Sequence, residues 1–277
     1  MMENKLKRQQ SEGFSQTLKY FESHAHYDDR RFDSDRQEVI EACRESGVEY
    51  IINAGADLRS TKKSIRLATE YDFIYAAVGV HPHSAKSLDD VSFAELKRLT
   101  HAPKVVAVGE IGLDFYRDNS PRDVQRKWFR KQLELAKDSG LPAIIHSRDA
   151  CQEVFDMLKE EGLSERGGKG AGVIHCFSGS AEMACRFVEL GYLIGIAGPV
   201  TYKNARKLVE TVESVPLERI LIETDCPYLT PEPHRGQRND SQNLRYICEK
   251  ISEIKQITSE KVAEITKENG KTLFDIK

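Results

Sequence analysis

No stretch of the 277-residue sequence approaches the ~18 consecutive apolar residues that a membrane-spanning helix requires, and the polar first residues lack the apolar core of a secretory signal. The six cysteines, Cys43, Cys151, Cys176, Cys185, Cys226 and Cys248, contain no Cys-x-x-Cys pair, which removes zinc-ribbon and dithiol redox chemistry and fits reduced thiols. No Gly-x-Gly-x-x-Gly turn follows an early strand, which counts against a dinucleotide-binding sheet. A strong excess of one charge is missing too. With a formal net charge of -3, the surface is no general magnet for polyanions, so any such substrate must be met by a local basic rim. Neither a linker nor a low-complexity segment interrupts the chain. We therefore expect residues 1–16 to be a flexible polar leader and residues 17–277 to form one domain, cytoplasmic, with no membrane association and no obligate protein partner.

What is present is alternation. Charged residues make up 31% and hydrophobic ones 39%, enough apolar material for one large core. Short β-branched or aromatic runs at 18–22, 49–54, 74–80, 105–109, 143–146, 172–175, 192–196 and 220–223 are separated by longer amphipathic stretches. The clearest of these, at 35–46, 121–139 and 181–190, are followed by Gly47, Gly140 and Gly191 as stops. Two more helical stretches, at 241–255 and 259–273, follow the eighth strand. This pattern announces βα units around a parallel sheet, either open or closed into a barrel. Metal-ligand residue types decide between the two, because they end the first, fourth, fifth, sixth and eighth strands. Only a closed ring lets those ends meet, so the expectation is an α/β fold, a single-domain (β/α)8 TIM barrel with extra C-terminal helices.

The most visible local feature is Glu22-Ser23-His24-Ala25-His26, in which alternate residues of a strand point the same way and bring two imidazoles together. His-x-His alone is common. Corroboration comes from the apolar runs VVAVGE, PAIIH, GVIH and ILIETD, which deliver Glu110, His146, His175 and Asp225 to strand ends, where such groups are costly unless paired or coordinated. Four histidines and two carboxylates exceed one tetrahedral structural site and suit two adjacent divalent ions, with Glu110 as the bridge. Asp225 would serve as ligand and general base, making Asp225 and Glu110 the catalytic pair. The donor mixture does not choose among magnesium, manganese and zinc. Glu22 and Glu223 would stand behind the ligands and orient them. His81, His83, Arg148, Lys203, His234 and Arg235, with Arg238, stand where they could meet phosphate, His83 and Arg148 alternatively orienting a ligand by a hydrogen bond and Lys203 alternatively opening a solvated helix, and Tyr116 and Tyr228 could stack a base or simply pack.

At this point the chain resembles the TatD family of metal-dependent deoxyribonucleases, from residue 20 to residue 274. The carriers are SHAH (23–26), AAVGVHPH (76–83), GEIGLDFY (109–116) and IIHSRDA (144–150), followed by VIHCFSGS (173–180), GPVTYKNA (198–205) and LIETDCPYLTPEPHRGQRN (221–239). The resemblance implies a divalent-metal-dependent hydrolase of phosphodiester bonds that acts on DNA, from single-stranded ends. It also implies that the family's metal residues fall on His24, His26, Glu110, His146, His175 and Asp225. Glu22 departs from the family's usual Asp. An alternative substrate for the same site is an ester or amide, such as an aminoacyl-tRNA linkage, because an activated water also attacks carbonyl carbon.

Overall fold

A computed structural model describes residues 18–163 and 167–277, so the expected leader at 1–16 lies outside the described residues. Eight strands run in order around one parallel sheet: β1 Tyr20–Ala25, β2 Val48–Ala54, β3 Ile74–Val78, β4 Val105–Asp114, β5 Ala143–Arg148, β6 Gly172–Ile174, β7 Tyr192–Ile196 and β8 Ile220–Ile222. Between them lie α1 Arg36–Glu45, α2 Leu58–Glu70, α3 Asp90–Leu99, α4 Arg122–Ser139, α5 Cys151–Glu161, α6 Ala181–Glu189 and α7 Arg206–Ser214. The chain then adds α8 Leu244–Lys255 and α9 Ser259–Phe274. The barrel closes where β1 meets the end of β8, through Asp225 N–H to the His24 carbonyl (3.0 Å) and His26 N–H to the Cys226 carbonyl (2.9 Å). The expected (β/α)8 barrel with C-terminal helices is the observed fold.

Local chemistry explains the element ends. Asp57 caps α2 by accepting from Ser60 N–H, and Asp89 and Ser92 form a reciprocal capping box on α3. Gly140 ends α4 with φ 67°, a left-handed conformation that glycine adopts without strain. The last helix begins at the expected Ser259, and its cap is the residue before, Thr258, whose side chain accepts from Lys261 N–H.

Two packed layers of apolar side chains result. One lies between sheet and helices. The other fills the barrel, with Phe21, Ile52, Ala77, Ala107, Ile144, Val173, Leu193 and Leu221 contributing one residue from each strand in turn. Helix α9 plugs the end where the strands begin. Phe274 stacks on Phe21 with ring centroids 5.8 Å apart, and a side chain at Gly270 would run into the Phe21 ring. The opposite end, where the strands finish, stays polar.

Candidate metal centre and substrate rim

Strand parity shows how the polar groups reach that end. On β5 and just past β6 the interior residues Ile144 and Val173 lie two positions before His146 and His175, as simple alternation demands, while Asp225 lies beyond β8 and is turned by a left-handed backbone with φ 56°. On β1 and β4 the interior residues Phe21 and Ala107 lie three positions before His24 and Glu110. Alternation would send those two groups outward. Both strands carry a register shift over that interval, between Glu22 and Ala25 and between Val108 and Ile111, and such irregularities re-aim side chains beside active sites.

The six expected metal residues are brought together. His24 Nε2 is 3.0 Å from His26 Nε2 and 3.3 Å from Glu110 Oε2, while Asp225 Oδ1 lies 3.5 Å from His26 Nε2 and 3.8 Å from His24 Nε2. Glu110 divides its oxygens between two groups. Oε2 faces His24 and His26 (3.3 and 3.5 Å), and Oε1 faces His146 Nδ1 (2.7 Å), His81 Nε2 (3.5 Å) and His175 Nε2 (3.7 Å). Gly112 makes room for this: a side chain there would overlap the His146 carbonyl oxygen, so only glycine lets β4 and β5 approach closely enough to seat His146 on Glu110.

The donor set fits cations. Four donors about 2.1 Å from a common tetrahedral ion stand about 3.4 Å apart, and the separations of 3.0 to 3.8 Å of His24 and His26 from each other and from Glu110 and Asp225 bracket that value. His26 Nδ1 lies 3.0 Å from the Ala54 carbonyl, an acceptor that fixes the proton there and turns the Nε2 lone pair toward the centre. His24 Nδ1 is buried without a hydrogen-bond partner. Without a cation, protons must fill the gap between these lone pairs. Burial opposes charge on His26 and His175, but hydrogen bonds to Asp225 and Glu110 hold His26 well above the ordinary imidazole value, and Glu223 with Glu110 pushes His175 up to about 9. Burial alone would raise Glu110, yet the imidazoles of His81, His24 and His175 keep its carboxyl well below the usual range.

Behind these residues stand the two expected carboxylates. Glu22 is fully buried and accepts from Thr224 N–H (2.8 Å), Thr224 Oγ1 (2.6 Å) and His24 N–H (3.2 Å); burial raises its pKa to about 8 against those bonds. Glu223 Oε1 lies 3.0 Å from His175 Nδ1, an ion-pair contact without hydrogen-bond alignment, and accepts from Cys176 N–H at 2.5 Å. At Gly195 a Cβ would sit 2.6 Å from Glu223 Oε1, so a side chain there would push this carboxylate from its place.

The expected phosphate contacts separate into four groups. His81 belongs to the centre, about as close to Glu110 Oε1 as His175 is, and burial holds its pKa well below the ordinary value. His83 is bound by Asp114, Nε2 to Oδ2 at 2.7 Å. Arg148 and Arg235 lie on the rim, each over a tyrosine ring, Tyr116 at 4.1 Å and Tyr202 at 4.3 Å. The others are not gathered in. His234 Nε2 pairs with Tyr246 OH on α8 (2.9 Å), Arg238 is taken by Asp35 (2.6 Å), and Lys203 is exposed with no contact to the cluster.

Asp114 is a site residue that the sequence pattern did not single out. It is fully buried; Oδ2 meets both His83 (2.7 Å) and His146 Nε2 (3.3 Å), and Oδ1 accepts from Tyr116 N–H and Arg117 N–H. A signal exists, because Glu110, Gly112 and Asp114 alternate along β4.

Comparison with known proteins places this geometry in a lineage. The family model described as "TatD related DNase" matches residues 21–275. A Bacillus subtilis protein described as the uncharacterized metal-dependent hydrolase YabD is 46% identical over 92% of this chain and 99% of its own length. The protein of Rahnella sp. described as the 3'-5' ssDNA/RNA exonuclease TatD is 34% identical over 88% of this chain and 94% of its own. Among solved structures, the TatD homologue YjjV of Escherichia coli superposes with a TM-score of 0.88 at 32% identity, covering 95% of this chain and 100% of that one.

Proposed function

Because the chain belongs to the TatD-related DNase family of metal-dependent hydrolases, we propose that it hydrolyses phosphodiester bonds of single-stranded DNA, working inward from an end. The observation that carries this reading is the division of Glu110 between two sets of imidazoles, which suits two adjacent divalent ions, magnesium, manganese or zinc. In that reading His24, His26, Asp225 and Glu110 would hold one ion, and His146, His175 and Glu110 the other. Ions bound there would supply an acidified water and positive charge against the phosphoryl oxygens. The chain's own residues do the rest. Asp225, whose Oδ1 faces the centre, accepts the proton of the attacking water, Glu22 holds the His24 backbone in place, Glu223 faces the His175 ring, and Arg148 at the rim receives a neighbouring phosphate. The relative named as an exonuclease of single-stranded DNA and RNA supports the choice of polymer and of an end.

The test is a matrix of metals against substrates. The purified protein with each of the three ions is offered labelled single-stranded DNA, single-stranded RNA and an aminoacyl ester. Release of terminal nucleotides from DNA is expected, lowered roughly 10²- to 10⁴-fold in Asp225→Asn and abolished in Glu110→Ala. Intact DNA ends with every ion, or turnover of the acyl ester alone, would refute the reading.

A further inference from the structure

Two side chains at the polar end break the rule that large rings are covered. Among the described residues, Tyr116 and Tyr228 are the only exposed tyrosine, phenylalanine or tryptophan side chains, at 59% and 46%. Both sit in loops that follow strands at the finishing end of the barrel, Tyr116 after β4 and Tyr228 after β8. In a ring of eight strands those loops stand four places apart, on opposite sides of the metal centre.

Each ring is pre-set from one side. The Arg148 guanidinium lies 4.1 Å from the Tyr116 centroid, with Arg117 farther off at 5.8 Å. Arg31 lies 4.0 Å from the Tyr228 centroid and is itself locked to Asp29, Nε to Oδ1 and Nη2 to Oδ2, both at 3.0 Å. Tyr228 OH also reaches Asp29 Oδ2 at 3.3 Å, and the ring meets His26 edge-on with centroids 6.3 Å apart. A guanidinium over one face immobilises a ring, and what remains exposed is a flat apolar surface beside a positive charge. Among the described residues no carboxylate lies within 4 Å of Arg148, which leaves that cation available to an anion as well. The chemistry that matches a flat π-surface on each side of a phosphodiesterase centre, with an unanswered cation beside one of them, is a nucleobase on each side and a phosphate on the Arg148 side.

We infer that Tyr116 and Tyr228 are two base-stacking platforms that hold the nucleobases on either side of the scissile phosphate of a single strand. The inference rests on the phosphodiesterase reading for its substrate, and it adds which groups recognise that substrate. Bases splayed to opposite sides of the mouth cannot remain stacked on each other or paired in a duplex, so the platforms select an unpaired end. Arg148 supports both stacking and phosphate contact on the β5 side. Arg31, with its charge answered by Asp29, serves as a stacking partner.

A cycle that removes either the ring or the base tests this. Binding of the metal-chelated full-length protein to a single-stranded 12-mer is followed by fluorescence anisotropy, using intact strands and strands abasic at the last or the penultimate nucleotide of either end. Tyr116→Ala and Tyr228→Ala are each expected to bind the intact strand roughly 5- to 150-fold more weakly, while Tyr116→Phe and Tyr228→Phe bind it as the parent does. Each alanine variant should also lose the penalty for one abasic position and keep the other. Thermal unfolding of the four variants separates this from misfolding. Equal penalties for base removal in parent and alanine variants, or a parent that does not distinguish intact from abasic strands, would overturn the platforms. A parent that binds bases in this way yet cleaves no DNA with any ion would instead refute the proposed reaction.

Discussion

Asp114 shows how much can depend on one buried oxygen. Its Oδ2 is shared by His83 and His146, and the Tyr116 and Arg117 amides hold its other oxygen in place. Removing the carboxyl therefore frees the two imidazoles and leaves two backbone donors without an acceptor. Asp114→Ala is expected to weaken divalent-metal binding about 10- to 100-fold in calorimetric titration. Asp114→Asn, which keeps an oxygen for the amides, should fold with near-parental stability and show a smaller loss. Metal affinity within twofold of the parent in the alanine variant would sink the idea that Asp114 orients His146. Residue identity alone makes His24, His26 and Glu110 readable in the sequence. Asp114 is equally readable from its alternation with Glu110, but a carboxylate after a Gly-Leu pair has the look of a loop residue. His81 is the converse case, expected at the rim as a phosphate contact and found 3.5 Å from Glu110 Oε1. Nothing in the sequence says how far along its strand end an imidazole sits.

The element boundaries that are hardest to foresee are those nearest the site. β7, with ordinary alternation, runs over the residues expected of it, whereas β4 continues to Asp114 instead of stopping at Gly109. β1 likewise extends through Glu22, Ser23 and His24, polar residues that read as the end of a strand but lie buried in the barrel mouth. The reason is common to both. Glycines and charged groups usually interrupt strands, but here register shifts and close backbone approaches use them to turn side chains inward. Gly112 gives this a measurable consequence. Its φ of 147° and the His146 carbonyl behind it leave no room for a Cβ, and the obstruction is backbone that no rotamer change relieves. Gly112→Ala is expected to cost at least ~2 kcal/mol in urea unfolding and to push β5 away from β4. A change below ~0.5 kcal/mol would show that the two strands are not fixed against each other at this point.

At the scale of the whole molecule, the proposed ligands come from β1, β4, β5, β6 and the segment after β8, so they encircle the barrel. The seam between β1 and β8 is short on regular ladder and is joined by His24, His26, Asp225 and Cys226 backbone groups at the site itself. Closure and ion binding therefore involve the same residues. Ions that bind the folded barrel and not the unfolded chain stabilise it by about 2.7 kcal/mol at a hundredfold excess over Kd, which for a domain of this size raises Tm by roughly 5 °C. The expected result is a rise of that order when the chelated protein is given magnesium, manganese or zinc, and no rise in Glu110→Ala, since both sets of donors lose their shared member. Identical melting of the chelated and metal-loaded parent would mean that these six residues do not hold ions. A shift that survives in Glu110→Ala would mean that each half binds independently, and the bridging arrangement would then have to be abandoned even if the metals themselves remained.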